Sequence, residues 1–186
     1  MRLILVRHPA PQVAPGICYG RSDVAVTPDE REKIRTSLKQ DLPANLPIYT
    51  SPLLRCLDLA QQLVEDLAAS ALHVDARLAE MDFGDWEMQP WEAIPRAEID
   101  AWAADMVYYR PGCGENVMLM ATRVLAFVHD LLREQHAEAI LICHAGTMRL
   151  LCALQAGLSL EETALLAATS AHKIDYGATM TVIFDD

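Results

Sequence analysis

The sequence predicts an α/β protein: a three-layer α/β/α sandwich with a mainly parallel sheet, an antiparallel edge strand and an inserted cap region. Three observations lead there. Residues 2–6 and 139–143 are apolar runs too short and too uniform for amphipathic helices, and they read as strands buried on both faces. Segments with helical spacing of apolar residues lie between the strands. The chain closes with two further strand patterns, Ser170 to Asp175 and Ala178 to Phe184, around a tight turn at Tyr176-Gly177, which supply the antiparallel edge.

Taken in order, the first strand ends abruptly at Arg7-His8, and Pro9, Pro11, Pro15 and Gly16 keep the chain irregular to Val26. Thr27-Pro28-Asp29-Glu30 starts a helix that runs to about Asp41, with Thr27 as cap, Pro28 at the first position and Glu30 closing a capping box. Ile48-Tyr49-Thr50 is the second strand. Ser51-Pro52 repeats the helix-start pattern, and Leu53, Leu57, Ala60, Leu63, Val64 and Leu67 give that helix an apolar face to about Ala69. Leu72-His73-Val74 is a shorter third strand. Residues 75–114 hold all three tryptophans and much of the remaining Pro and Gly. So long a connection reads as a functional insertion, a lid over the strand ends, with a helix from about Trp91 to Ala104. A helix follows from Glu115 to Gln135, with Leu119, Val124, Leu125, Val128, Leu131 and Leu132 on one side. The strand at 139–143 ends in His144-Ala145-Gly146. A helix then runs to Ala156, and Ser159 with Glu162 caps a last short one.

At 186 residues the chain is expected to form one domain, 1–186, with the lid inserted at about 75–114. A net charge of −11 argues against non-specific nucleic-acid binding and against an acidic membrane surface. An anionic substrate therefore needs a local basic cluster. Five cysteines without a Cys-x-x-Cys pair fit a reducing compartment, with Cys143 and Cys152 as core residues. The chain enters a strand pattern at once and lacks an uncharged apolar run of about 18 residues, so neither signal peptide nor membrane span is expected. The expectation is a cytoplasmic protein.

Two strands that each deliver a histidine at the carboxyl end suggest one shared site, because open α/β sheets bind ligands there. Arg55, in the first turn of the helix after the second strand, adds a third junction beside a helix N-terminus. Arg7, His8, Arg55 and His144 then form a phosphate-sized cluster of donors. A neutral imidazole can attack phosphorus and carry the phosphoryl group covalently, and guanidinium forks suit its oxygens. The leaving alkoxide needs a proton, and Glu80, after the third strand, is the candidate donor. The charge of a bound phosphate favours a protonated carboxyl. Tyr19 and Arg21 are candidates for the substrate body, with a pair between Arg21 and Asp23 as the alternative for the latter. Trp86 and Trp91 read as lid core, His129 and His136 as surface, and His73 and His172 as structural. No cluster has metal-ligand spacing, and no Gly-x-Gly-x-x-Gly follows the first strand, so neither metal nor cofactor is expected.

Arg7-His8 after an apolar strand, Ser51-Pro52-Leu53-x-Arg55, Leu78-Ala79-Glu80-x-x-Phe83-Gly84-x-Trp86-Glu87 and His144-Ala145-Gly146 occur here in order. Over nearly its whole length the chain thereby resembles the histidine phosphatase (phosphoglycerate-mutase-like) superfamily. The resemblance implies His8 as phosphorylated nucleophile, Arg7, Arg55 and His144 as phosphate pocket, and Glu80 as general acid and then base for water. Gly16-x-Cys18-Tyr19-Gly20-x-x-Asp23-Val24 with the Phe-Gly-x-Trp-Glu run looks most like the α-ribazole phosphatase branch. Pro9 replaces the family's usual glycine, Ala14 a common phosphate-binding asparagine and Met88 a common glycine; Pro111 to Asn116 is one residue longer than usual and lacks its serine. The expected activity is metal-independent hydrolysis of a small phosphorylated metabolite. The alternatives are a mutase-type phosphotransferase and a phosphoester-binding regulatory protein with little turnover. Oligomeric state is open, a homodimer included.

Overall fold

The computed structural model describes residues 1–170 and 173–184. Strands β1 (Arg2–Arg7), β2 (Ile48–Thr50), β3 (Leu72–Val74), β4 (Glu138–Cys143) and β5 (Thr179–Ile183) form one sheet in the order β3-β2-β4-β1-β5. The first four are parallel, and β5 runs antiparallel against β1. The two-residue period of a strand splits the apolar residues of β1 between the faces. Leu3 and Leu5 join Leu141 and Cys143 under one helical layer, while Ile4 and Val6 join Ile140 and Ile142 under the other. The uniformly apolar runs are thus apolar because both faces are covered.

Helices α1 (Pro28–Asp41) and α2 (Leu54–Asp66) cover the Ile4 face through Leu38, Leu59 and Leu63. Helix α3 (Arg96–Ala104) lies within residues 75–114. Helices α4 (Val117–Arg133), α5 (Ala145–Leu154) and α6 (Leu160–Thr169) cover the Leu3 face through residues such as Val124, Phe127, Leu151 and Ala164. The chain leaves β1 toward α1 and leaves neighbouring β4 toward α5, on opposite faces. A crevice opens at that switch of direction, beyond the carboxyl ends of the strands.

The helix starts follow the cap chemistry in part. Thr27 accepts from the Glu30 N–H, 3.2 Å away, but the Glu30 carboxylate pairs with Lys33 instead of closing a box. The box at Ser159 and Glu162 is complete. Four expectations are corrected. The helix expected over 91–104 is broken at Pro95, leaving a 3-10 turn at Trp91–Ala93 ahead of α3. Leu119 is exposed, and the buried face of α4 is carried by Met120, Ala121, Val124, Phe127, Val128 and Leu131. Ser51 does not cap α2, which begins after Leu53: its hydroxyl accepts from the Leu53 N–H at 3.3 Å, short of the helix, and from His144. Residues 173–175 are not a strand, so the closing hairpin is a single strand, β5. Here the chain bonds instead to Arg7: its guanidinium donates to the Ile174 carbonyl and its carbonyl accepts from the Gly177 N–H. Residues 171 and 172, and with them His172, lie outside the described residues.

Residues 75–114 build a small core of their own, with Cys18, Trp86 and Ile94 buried against Phe83, Ile99, Trp102 and Tyr109. The loop after β1 shares it. Main-chain bonds join Cys18 to Gln89 and Met88, and Trp91 to Gly16, each at 2.8 Å.

Candidate active site

His8 follows β1 and is 2% exposed. Its Nδ1 lies 2.7 Å from the Pro9 carbonyl oxygen. A carbonyl only accepts, so Nδ1 carries the proton and Nε2 keeps its lone pair. Burial, then the positive charge of Arg55, push the His8 pKa well below its ordinary value, so the ring is neutral at neutral pH. Pro9 gives up an N–H donor, yet its carbonyl sets the tautomer of the neighbouring histidine.

His144 follows β4 at the start of α5 and packs 5.0 Å from His8, centroid to centroid. Its Nδ1 accepts from the Arg55 Nε–H at 3.2 Å, and its Nε2–H then donates to Ser51 Oγ at 2.8 Å. Burial and the neighbouring cations hold it neutral as well. Both nitrogens are thus engaged within the protein, and a direct phosphate contact would cost His144 one of these partners. Arg55 is 1% exposed. Besides His144 it donates to the Ser22 carbonyl at 2.7 Å and to the Gly20 carbonyl. Three of its five N–H groups are used in this way. Arg7 lies over the Tyr176 ring, 3.9 Å from the centroid, and its Nε–H finds no acceptor among the described residues.

Glu80 reaches the same crevice from the far side of the sheet. One carboxylate oxygen accepts from the Gly146 N–H at 3.0 Å and the other from the Met81 N–H at 3.1 Å. Gly146 lies in the first turn of α5, where helix N–H groups and dipole favour a negative charge. A Cβ at Gly146 would run into this carboxylate. Arg7, His8, Arg55, Glu80 and Gly146 all line one cavity of about 350 Å³. Its remaining wall is largely apolar, with Phe83, Trp91, Trp102, Met106 and Met120 among its residues. Trp91 and Trp102 stack at 6.2 Å, and Phe83 meets each edge-on at 5.9 Å.

Sequence reasoning placed His8, Glu80, Arg7, Arg55 and His144 together, and the structure brings them together. Tyr19 also lines the cavity. Arg21 does not join the cluster: its side chain is 64% exposed and stands 3.9 Å from Asp82. Asp23, the pairing alternative for Arg21, instead accepts from the Leu54 N–H at the start of α2. Trp86 is buried as expected, whereas Trp91 is 38% exposed and faces the cavity. Three residues were missed. Ser51 had only a local cap signal. Glu87 stood among several carboxylates. Tyr176 was read as a turn residue, yet its ring lies 5.6 Å from His8 and its hydroxyl bonds to that of Tyr19 at 2.6 Å.

The sequence pattern of the histidine phosphatase superfamily (branch 1) matches residues 3–183, and the chain belongs to that superfamily. It is a phosphatase. A protein of Hydrogenobacter thermophilus provisionally named phosphoserine phosphatase 2 is 29% identical over 165 residues, 86% of this chain and 81% of the relative. The adenosylcobalamin/α-ribazole phosphatase of Escherichia coli K12 is 29% identical over 168 residues, 87% of this chain and 82% of the relative. The crystal structure of the α-ribazole phosphatase from Shigella flexneri superposes with a TM-score of 0.82 at 26% identity, covering 100% of this chain and 91% of that one.

Proposed function

We propose that the protein hydrolyses a small phosphate monoester through a phosphohistidine at His8, without a metal ion. The observation that carries this reading is a neutral His8, its Nδ1 taken by the Pro9 carbonyl and its Nε2 left with a lone pair, in the wall of a cavity that it shares with Arg7 and Arg55. The phosphoryl oxygens lie against the guanidinium groups of Arg7 and Arg55. His8 Nε2 attacks phosphorus, the ester P–O bond breaks, and the leaving alkoxide takes a proton from Glu80. Glu80 then takes a proton from water as its oxygen attacks phosphorus. The P–N bond breaks, and His8 returns with inorganic phosphate as the second product. His144 serves by bracing Arg55 through Nδ1. Residues 75–114 act as the lid that holds the alcohol part of the ester.

The apolar wall favours an alcohol with a flat, weakly polar body over a small charged one. α-Ribazole 5′-phosphate has such a body and is the substrate we propose, consistent with the names of the Escherichia coli relative and the Shigella flexneri structure. The test is phosphate release from a panel containing α-ribazole 5′-phosphate and phosphoserine, with chelator present and His8→Ala alongside. We expect turnover by the native protein with chelator, preference for the ribazole ester, and a loss of at least about 10⁴-fold in His8→Ala. Loss of activity on chelation would overturn the metal-independent mechanism, and preference for phosphoserine would overturn the substrate. Binding of phosphate without release from any ester would instead identify a regulatory binding protein.

A further inference from the structure

Glu87 does not line the cavity, yet its carboxylate gathers four donors. The main-chain N–H groups of Arg21, Ser22 and Phe83 approach at 2.7, 2.5 and 3.0 Å, and the Ser22 hydroxyl donates as well. Two of those N–H groups belong to residues 20–22, the segment whose carbonyls grip Arg55. The Gly20 and Ser22 carbonyls accept from the two terminal nitrogens of its guanidinium. This short stretch therefore turns its N–H groups to an anion and its carbonyls to a cation. The next residue, Asp23, ties it to α2 through the Leu54 N–H at 2.7 Å. Gly20 admits the close approach, since a Cβ there would run into the Met81 carbonyl and the Phe83 ring.

We propose that Glu87 is a positioning residue for Arg55: it fixes the 20–22 segment, whose carbonyls hold the guanidinium against His144 and beside His8. The role rests on the reading of Arg55 as a holder of phosphate. A carboxylate is suited to it because it only accepts, and four donors converge here. A Gln side chain of the same shape would turn an N–H₂ group toward some of them, leaving donor facing donor. Burial works against the charge on Glu87. The hydrogen bonds from Ser22, Phe83 and Arg21 outweigh it and hold the pKa below the usual carboxylate range. Charge-assisted hydrogen bonds of this kind are the strong ones.

The experiment is a double-substitution cycle on the full chain, with inorganic phosphate as probe and calorimetry as readout. We expect Glu87→Gln to weaken phosphate binding about tenfold, and by less than about twofold when Arg55 is already Met, because the effect runs through Arg55. Where Arg55→Met alone weakens binding, equal losses from Glu87→Gln in both backgrounds, or no loss in either, overturn the proposal. The second readout is the imidazole titration of His8 by NMR in the free protein. Arg55 lowers it by its charge, so a loosened Arg55 lets it rise in Glu87→Gln. Where Arg55→Met leaves phosphate binding unchanged, the phosphate reading of Arg55 fails and this titration alone decides. A rise keeps the positioning role, and an unmoved His8 overturns it. If Glu87→Gln does not fold, Ser22→Ala removes one of the four donors and is read in the same two assays. A smaller change in the same direction supports the role, and no change overturns it.

Discussion

At the scale of single residues, the site depends on which nitrogen of His8 is bare. The Pro9 carbonyl takes the Nδ1 proton, and burial with Arg55 keeps the ring from gaining a second one. In the mechanism we propose, protonation would remove the lone pair that attacks phosphorus, so activity is lost only as pH falls through the His8 pKa of the folded protein. That pKa lies well below 6.5. The acid limb of kcat/KM should therefore fall well below that of an ordinary imidazole, once the titration of the ester's own phosphate, measured separately, is divided out. A limb near pH 6.5 that survives this correction would mean an ordinary, exposed imidazole and would sink the account. On this account Pro9 serves the chemistry through its carbonyl, which it keeps although it lacks an N–H.

At the scale of elements, the N-terminus of α5 places Glu80. Gly146 has ordinary helical backbone, so alanine there meets no conformational objection and gains helix propensity. The obstacle is the Glu80 carboxylate, which its Cβ would displace. We expect Gly146→Ala to lower kcat/KM, which reports the steps through release of the alcohol and not the later attack of water, by about 10- to 100-fold for alkyl phosphates. The loss should be under about threefold for p-nitrophenyl phosphate, whose leaving group needs no proton. The melting temperature should stay within about 3 °C of the native value. Equal losses on both esters would remove Glu80 from the role of acid. The elements that carry this site were legible because each announces itself locally. The apolar runs of β1 and β4 stop at His8 and His144, and Arg55 sits one residue into a helix with a clear apolar face. What escaped is set by distant pairing. Ser51 has a cap signal in its own neighbourhood, but His144, 93 positions away, claims its hydroxyl. Tyr176 reaches Tyr19, 157 positions away, only because β5 runs back along β1 and its preceding turn folds over Arg7. Pro95 was visible, but a proline near the first turn of a helix is tolerated, and that hid how completely it divides the segment.

At the scale of the whole molecule, a net charge of −11 surrounds a pocket that must take in an anion. The two effects differ in reach. In the proposed mechanism Arg7 and Arg55 act on a bound phosphoryl group at contact distance, inside a crevice where His8 and Arg55 are almost without exposure and salt screens little. The acidic surface acts on an approaching ester over the Debye length, about 30 Å at 0.01 M salt and about 8 Å at 0.15 M. Raising the salt therefore removes the repulsion outside and leaves most of the attraction inside. For a dianionic ester kcat/KM should rise by about two- to threefold between those ionic strengths, the reverse of an enzyme whose surface steers its substrate inward. The measurement is a salt series at fixed pH with acetate as the added anion, run beside a neutral-bodied and a positively charged ester. The rise should shrink as positive charge on the alcohol offsets the charge of the phosphate. A fall with salt would mean that the field of the arginines extends past the mouth of the crevice and outweighs the acidic surface, and the pocket would then have to be credited with capture as well as with holding.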